Sequence, residues 1–280
     1  MEERNLLRFF DPSKQWDGSQ QGRLLVVGTR CFGDMIKWSR FFPVMEERKV
    51  DWALLSWPEL VPIFKRALPT AKIFSSADRI PPHDFWIPAL WLHEHFGTHR
   101  WTKPLLITAS PEKIKKYKFL RQRTQVIGLC WEAAEWSMSN KYRRLNLEEV
   151  KRITDLPVRW VNLQYQSTKN PQMKDFLRAL PNLVNVDFDT WEDTAGLVHN
   201  LDGVVSADTS VPHFTASMKK PTIVLHGRAA TSVTEYQPFD LHYLGSAKMF
   251  IPDYGNGSKT STDKFLDYAK QNPEFWKLNG

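Results

Sequence analysis

The segment VVSADTSVPHFTASMKKP (204–221) places polar, chemistry-bearing side chains where an apolar run gives way to a helix-forming one. Asp208, Thr209 and Ser210 follow the apolar run and precede a helix starting near Val211. A helix start exposes unpaired backbone N–H groups, so these side chains and amides can meet an anion such as a diphosphate. His213, in the first turn, can donate to a phosphate oxygen or a ribose hydroxyl. The same residue types cap helices routinely, so spacing alone leaves the cap and ligand roles open for Asp208, Thr209 and Ser210. A second group closes the stretch Trp131 to Arg144, where Lys141, Arg143 and Arg144 form a basic cluster. Cations at a strand end can neutralise a diphosphate leaving group, the charge that a sugar transfer must stabilise. Alone this cluster reads as a solvated loop. Together, two strand-end loops with complementary phosphate chemistry favour a shared anion site.

The elements that must hold these residues follow from periodicity. Leu24 to Gly28, Trp52 to Leu55 and Ile73 to Phe74 read as short buried strands, separated by helices over Asp34 to Met45 and Pro58 to Leu68, with Pro43 awkward near the end of the first. Ser76 to Trp101, rich in Pro, His and aromatics, shows no clean period and reads as a loop region. Ser110 to Gln125 reads as a charged connecting helix, with the boundary between two lobes near residue 122. Beyond it, strands at Val126 to Trp131, Arg159 to Leu163, Val184 to Val186, Gly203 to Ser206 and Thr222 to Leu225 alternate with helices at Leu147 to Thr154, Lys174 to Leu180, Asp193 to His199 and Val211 to Met218. Strands alternating with helices predict a parallel sheet covered on both faces. After Gly227 the chain becomes loop-rich, ending in a helix over Lys264 to Gln271 that could pack back across the lobes. The expected division is therefore 1–122 and 123–280.

Composition sets bounds on partners. Lys and Arg exceed Asp and Glu by 38 − 31 = 7, which suits a phosphate-bearing substrate or a polyanion as well as a plain solvated surface. The 12 tryptophans can stack on sugar rings or on bases, although most belong in the core. No apolar run reaches the roughly 20 residues that span a bilayer, and the first residues lack signal-peptide order. With only Cys31 and Cys130, not at metal-ligand spacing, a reduced, cytoplasmic setting is expected, with neither thiol a good nucleophile.

VIGLCW (126–131), Lys141-Tyr142-Arg143-Arg144-Leu145, NLQ (162–164) and DTAGLVHNLDGVVSADTSVPHFTASMKKPTIVL (193–225) together resemble the C-terminal lobe of heptosyltransferase-like glycosyltransferases, family 9, and the related lobes found behind tetratricopeptide repeats. The most specific piece is D-T-x-x-x-H-x-x-x-x-x-x-K-P, from Asp208 to Pro221. In the first half, Gly33-Asp34 with Arg40 and Pro43 resembles that family's G-D-x-x-x-x-x-R-x-x-P helix. The resemblance spans roughly residues 24 to 228. It departs at Glu132 to Met138, bulkier and more acidic than the usual small loop, and at Arg30-Cys31-Phe32, larger than the usual residues before Gly33.

The resemblance implies an α/β, GT-B fold with two Rossmann-like lobes facing a central cleft, no metal and no cofactor, and a nucleotide-diphosphate sugar as donor on the C-terminal lobe. Lys141, Arg143 and Arg144 then inherit phosphate binding. Asp208, Thr209, Ser210 and His213 inherit diphosphate and sugar contacts, and Gln164 and Asp193 are further carry-overs. Asp34 becomes the general base that deprotonates the acceptor hydroxyl, with Gly33 and Arg40 on the acceptor side; the structural alternative for Asp34 is a helix N-cap. The expected function is inverting, metal-independent glycosyl transfer to a glycan or lipopolysaccharide-like acceptor. The rivals are a glycosyltransferase acting on a hydroxymethylated DNA base and a nucleotide- or glycan-binding module that has lost turnover.

Overall fold

The computed structural model describes residues 10–29, 31–75, 80–96, 105–121, 124–133, 143–227, 246–253 and 258–277. Its contacts divide the chain into two units, Met1–Thr108 and Ala109–Gly280.

The N-terminal unit holds a parallel sheet in the order β3-β2-β1-β4, formed by β1 (Leu24–Val27), β2 (Trp52–Ser56), β3 (Lys72–Ser75) and β4 (Phe85–Pro88). Every residue of β1 and β2 is buried, the continuous apolar pattern of strands covered on both faces. The single helix expected over Asp34 to Met45 is broken into α1 (Phe32–Trp38), a 3₁₀ turn at Ser39–Phe41 and α2 (Phe42–Glu47). Pro43 is the reason. It sits in the first turn of α2, where the N–H it lacks has no intrahelical partner to lose. The helix over Pro58 to Leu68 is shorter, α3 (Val61–Ala67).

The stretch 76–101, expected as loop, contains β4 and α4 (Leu92–Phe96). Four residues ending in proline are too few to show a period, and a position at the end of an edge strand tolerates proline. β4 is instead specified by distant partners: it pairs with β1, and Trp86 packs on Phe10 while its Nε1 donates to the Asp11 carbonyl at 2.7 Å.

The C-terminal unit begins earlier than residue 122, because α5 (Pro111–Lys116) packs on a helix of this unit and does not serve as a connection. Gly196 is what allows the approach. A Cβ there would lie 2.6 Å from the Lys113 carbonyl oxygen. The sheet comprises β5 (Val126–Cys130), β6 (Arg159–Asn162), β7 (Leu183–Val184), β8 (Gly203–Ala207), β9 (Thr222–Leu225) and β10 (Ala247–Phe250), all parallel, in the order β10-β9-β8-β5-β6-β7. Between them lie α6 (Leu147–Thr154), α7 (Lys174–Arg178), α8 (Trp191–His199) and α9 (Ser210–Ser217). β10 falls in the expected loop-rich tail. The last helix, α10 (Ser261–Gln271), puts Phe265, Leu266 and Ala269 into the core of this unit beside Ile127, Trp160 and Trp276. Burial of this apolar face on its own sheet holds the terminal segment there.

Read from β7 to β10, the strand order runs outward in two directions from β5 and β8. Their carboxyl ends therefore form the switch point at which open α/β sheets bind ligands.

Candidate functional site

β5 and β8 pair in parallel, which sets Cys130 opposite Ser206 and brings the loops after both strands together. Cys130 Sγ lies 4.0 Å from Thr209 Oγ1. Burial pushes this thiol up to about 11, against hydrogen bonds that favour its thiolate, so it is protonated and inert as a nucleophile. Gln164, after β6, holds the start of the β5 loop: its Oε1 accepts from the backbone N–H of Trp131 at 3.1 Å and of Glu132 at 3.0 Å. Its own backbone N–H donates to Asn162 Oδ1 at 2.8 Å. Gln164 therefore shapes the loop that frames the site. The far end of that loop returns to the strand, because Leu145 N–H donates to the Trp131 carbonyl at 2.8 Å. Arg143 and Arg144 are thereby set beside the end of β5, Arg143 half-buried and Arg144 exposed. Lys141 lies outside the described residues.

Thr209 is the N-cap of α9, its hydroxyl accepting from Val211 N–H at 3.2 Å. The cap role left open in the sequence thus falls to Thr209, which leaves Asp208 one residue before the cap and Ser210 as the first helical residue. Asp208 is 5% exposed. His213 is buried within α9. Beside Asp208 stands a residue the sequence reading missed. His226 directly follows β9, is 3% exposed, and puts Nδ1 3.8 Å from Asp208 Oδ2. Burial pushes its imidazole below the usual range; Asp208 works against that, and Arg143 adds to it. The signal was available: once β8 and β9 are neighbours, the residue after β9 must flank the residue after β8. Asp208 Oδ2, His226 Nε2 and Arg143 Nε are all buried without a hydrogen-bond partner among the described residues.

Asp193 has a different setting. It sits in the first turn of α8, 4% exposed, and its Oδ1 meets Lys113 Nζ at 2.9 Å, Lys116 Nζ at 2.9 Å and Tyr117 Oη at 3.0 Å. Oδ2 accepts from the Thr190 hydroxyl at 2.9 Å. Burial alone would raise its pKa, but these hydrogen bonds outweigh it and hold the carboxyl well below the usual carboxylate range. Its oxygens are committed to joining α5 to α8.

In the N-terminal unit, Asp34 is the third residue of α1, just beyond the carboxyl end of β1, and Gly33 precedes it; both are half-buried. The N-cap is Cys31, so Asp34 does not fill the structural role considered for it, although a first-turn carboxylate also suits the helix dipole. Arg40 is 5% exposed, its guanidinium 4.7 Å from the Trp38 ring centroid and 5.2 Å from that of Phe41. A cavity of about 570 Å³ lies at the opposite, amino ends of β1 and β2, between Trp16, Arg23, Arg48, Asp51 and Asp84. Its position separates it from the chemistry at the strand ends.

Two parallel α/β units in one chain, the second with a switch point flanked by Arg143, the N-terminus of α9 and the buried Asp208, are the parts from which a GT-B fold is built. No protein-family model matches the chain, and no curated protein matches it by sequence. Solved structures do. The chain is similar to E. coli ADP-heptose lps heptosyltransferase II, at 14% identity over 88% of this chain and 96% of that one, with a TM-score of 0.59. It is similar to the glycosyl transferase family 9 structure from Veillonella parvula, at 12% identity over 89% and 96%, with a TM-score of 0.64. E. coli heptosyltransferase WaaC with ADP-2-deoxy-2-fluoro heptose aligns at 10% identity over 89% and 99%, with a TM-score of 0.56. The heptosyltransferase-like fold implied by the motifs is the fold found. Among the described residues no helix is long and apolar enough to cross a membrane.

Proposed function

We propose that this chain is a glycosyltransferase that binds a nucleotide-diphosphate sugar at the carboxyl ends of β5, β8 and β9 and transfers the sugar to an acceptor hydroxyl on a glycan. The observation that carries the proposal is the switch-point cluster, in which Arg143, the N-terminus of α9 and the Asp208–His226 pair stand together with buried polar atoms uncommitted. A heptosyltransferase of the same fold in complex with an ADP-sugar analogue supports it.

The chemistry follows from the charges. As the bond between the anomeric carbon and the diphosphate oxygen breaks, negative charge grows on the leaving group, where Arg143 and the Ser210 amide at the start of α9 can stabilise it. No metal is needed for that neutralisation if these groups supply it. The acceptor oxygen attacks the same carbon from the opposite face and inverts it. Its proton passes to a base, the role we assign to Asp34, whose carboxylate need only accept it.

The test is Asp34→Asn, assayed against a panel of nucleotide sugars. Transfer should fall by about 10²–10⁴ in rate, the usual worth of general-base help, while donor affinity stays within a few-fold. Near-normal turnover would remove Asp34 from the mechanism. Donor binding by wild type without transfer to any acceptor would favour a binding module, and no donor binding at all would refute the proposal.

A further inference from the structure

We propose that His226 makes the donor site proton-coupled: a nucleoside diphosphate binds together with a proton, which settles on His226 between Asp208 and the incoming phosphates. This deepens the donor-site proposal and rests on it.

The geometry is that of a seat with its polar atoms turned inward. Asp208 Oδ2, His226 Nε2 and Arg143 Nε are each buried without a hydrogen-bond partner among the described residues, and they belong to one cluster at three strand ends. Buried polar groups are nearly always satisfied, so three orphans in one place leave room for a ligand to supply their partners. The main chain that carries His226 is held on both sides, and its side chain is 3% exposed. Its backbone N–H donates to the Phe250 carbonyl of β10 at 3.0 Å, and its carbonyl accepts from the Ser261 hydroxyl of α10 at 2.6 Å. β10 also carries Lys248, and α10 carries Asp263, Lys264 and Asp267; among the described residues the charged groups that act on the imidazole are Asp208 and Arg143.

Charge then argues for the proton. Within the buried trio Asp208 and Arg143 carry opposite charges, so the charge immediately around the imidazole is close to balanced while His226 is neutral. A diphosphate brings at least two further negative charges beside the buried Asp208 carboxylate, and like charges in a low-dielectric site repel strongly. One proton on the imidazole offsets that repulsion. It also changes what the ring can do. Neutral histidine donates from one nitrogen only, whereas the imidazolium donates from both. Nδ1–H would then point at Asp208 Oδ2, now 3.8 Å away, and Nε2–H at a phosphate oxygen. Both would be charge-assisted hydrogen bonds.

The experiment is calorimetry on the full chain with ADP, UDP, GDP and CDP, continued with whichever binds tightest. Titrations near neutral pH in buffers of different ionisation enthalpy should show uptake of about one proton per site, and log affinity should fall by about one per pH unit on the alkaline side. The phosphates titrate too, so the same titrations on His226→Gln isolate the histidine. That variant should lose the proton uptake and bind roughly ten- to hundredfold more weakly in mildly acidic buffer. Nitrogen-15 shifts of the wild-type imidazole, free and bound, read the same event even if the variant folds poorly. Proton uptake equal in wild type and variant, or a neutral imidazole in the complex, overturns the proposal while leaving the donor site intact. Failure of all four nucleotides to bind wild type would overturn the donor site itself.

Discussion

Asp193 and Asp208 are both buried aspartates of the C-terminal unit, both in the segment that resembles family 9, yet the fold treats them in opposite ways. Asp193 is surrounded by Lys113, Lys116, Tyr117 and Thr190, with both oxygens occupied. Among the described residues, Asp208 Oδ2 has no hydrogen-bond partner, and neither does Nε2 of the histidine beside it. A satisfied buried carboxylate joins elements; one left wanting partners costs stability and stays available to a ligand. Two aspartates of one segment therefore have opposite surroundings.

The comparison breaks most visibly if Asp193 is altered. Asp193→Asn should lower unfolding free energy by about 2–3 kcal/mol, short of the ~3–5 kcal/mol for breaking a fully buried pair because the Lys116 side chain is 46% exposed. Chemical denaturation measures it, and nucleoside-diphosphate affinity should hold within about twofold, since no charge-assisted bond to the ligand is lost. A neutral effect on stability with lost affinity would move Asp193 into the donor site.

Asp208→Asn should do the reverse. Transfer should drop roughly ten- to hundredfold for loss of a charged contact, while stability should hold or rise, because no internal hydrogen bond of Oδ2 is broken and an unsatisfied buried charge is removed. Denaturation paired with an activity assay separates the two effects, and a large stability loss would make Asp208 structural.

Gly196→Ala sharpens the Asp193 side. Its Cβ would collide with the Lys113 backbone, forcing α5 and α8 apart at a cost of about 1–3 kcal/mol. Wild-type stability here would mean that the α5–α8 junction is looser than the ion cluster requires.

The smallest effects are in pH. Asp193 is held below its ordinary 3.8, so its contribution is full above that value and lost as pH falls beneath it. His226 is held below its ordinary 6.5, so the unfolded chain binds more protons and stability declines as pH falls below 6.5. Melting curves should show the two limbs separately. Asp193→Asn flattens the more acidic limb and His226→Phe the milder one; one limb lost in both variants would contradict the distinction.

The alternation of apolar runs and helical periods was legible along most of the chain, because a strand buried on both faces announces itself in its own residues. Leu24–Val27, Val126–Cys130 and Gly203–Ala207 are such runs. β4 and β10 were not legible. Each is four residues long, and each is held by pairing to a strand distant in sequence: β4 to β1, β10 to β9. Site legibility followed the same line. Asp208, Thr209, Ser210 and Arg143 sit in segments after strands whose residue types suit a phosphate, whereas His226 follows a plain apolar strand with nothing local to mark it.

From sequence alone came the α/β class, the two-unit organisation and the two strand-end loops with phosphate chemistry, because helix starts, strand periods and motif spacing are local properties of the chain. Which of those loops meet was decided by tertiary structure. Parallel pairing of β8 with both β5 and β9 puts Arg143, Asp208 and His226 at one rim, and the packing of α5 on α8 turns Asp193 away into an ion cluster. Strand order is set by which buried faces pack best over the whole sheet, a sum over residues far apart in sequence that no local window contains.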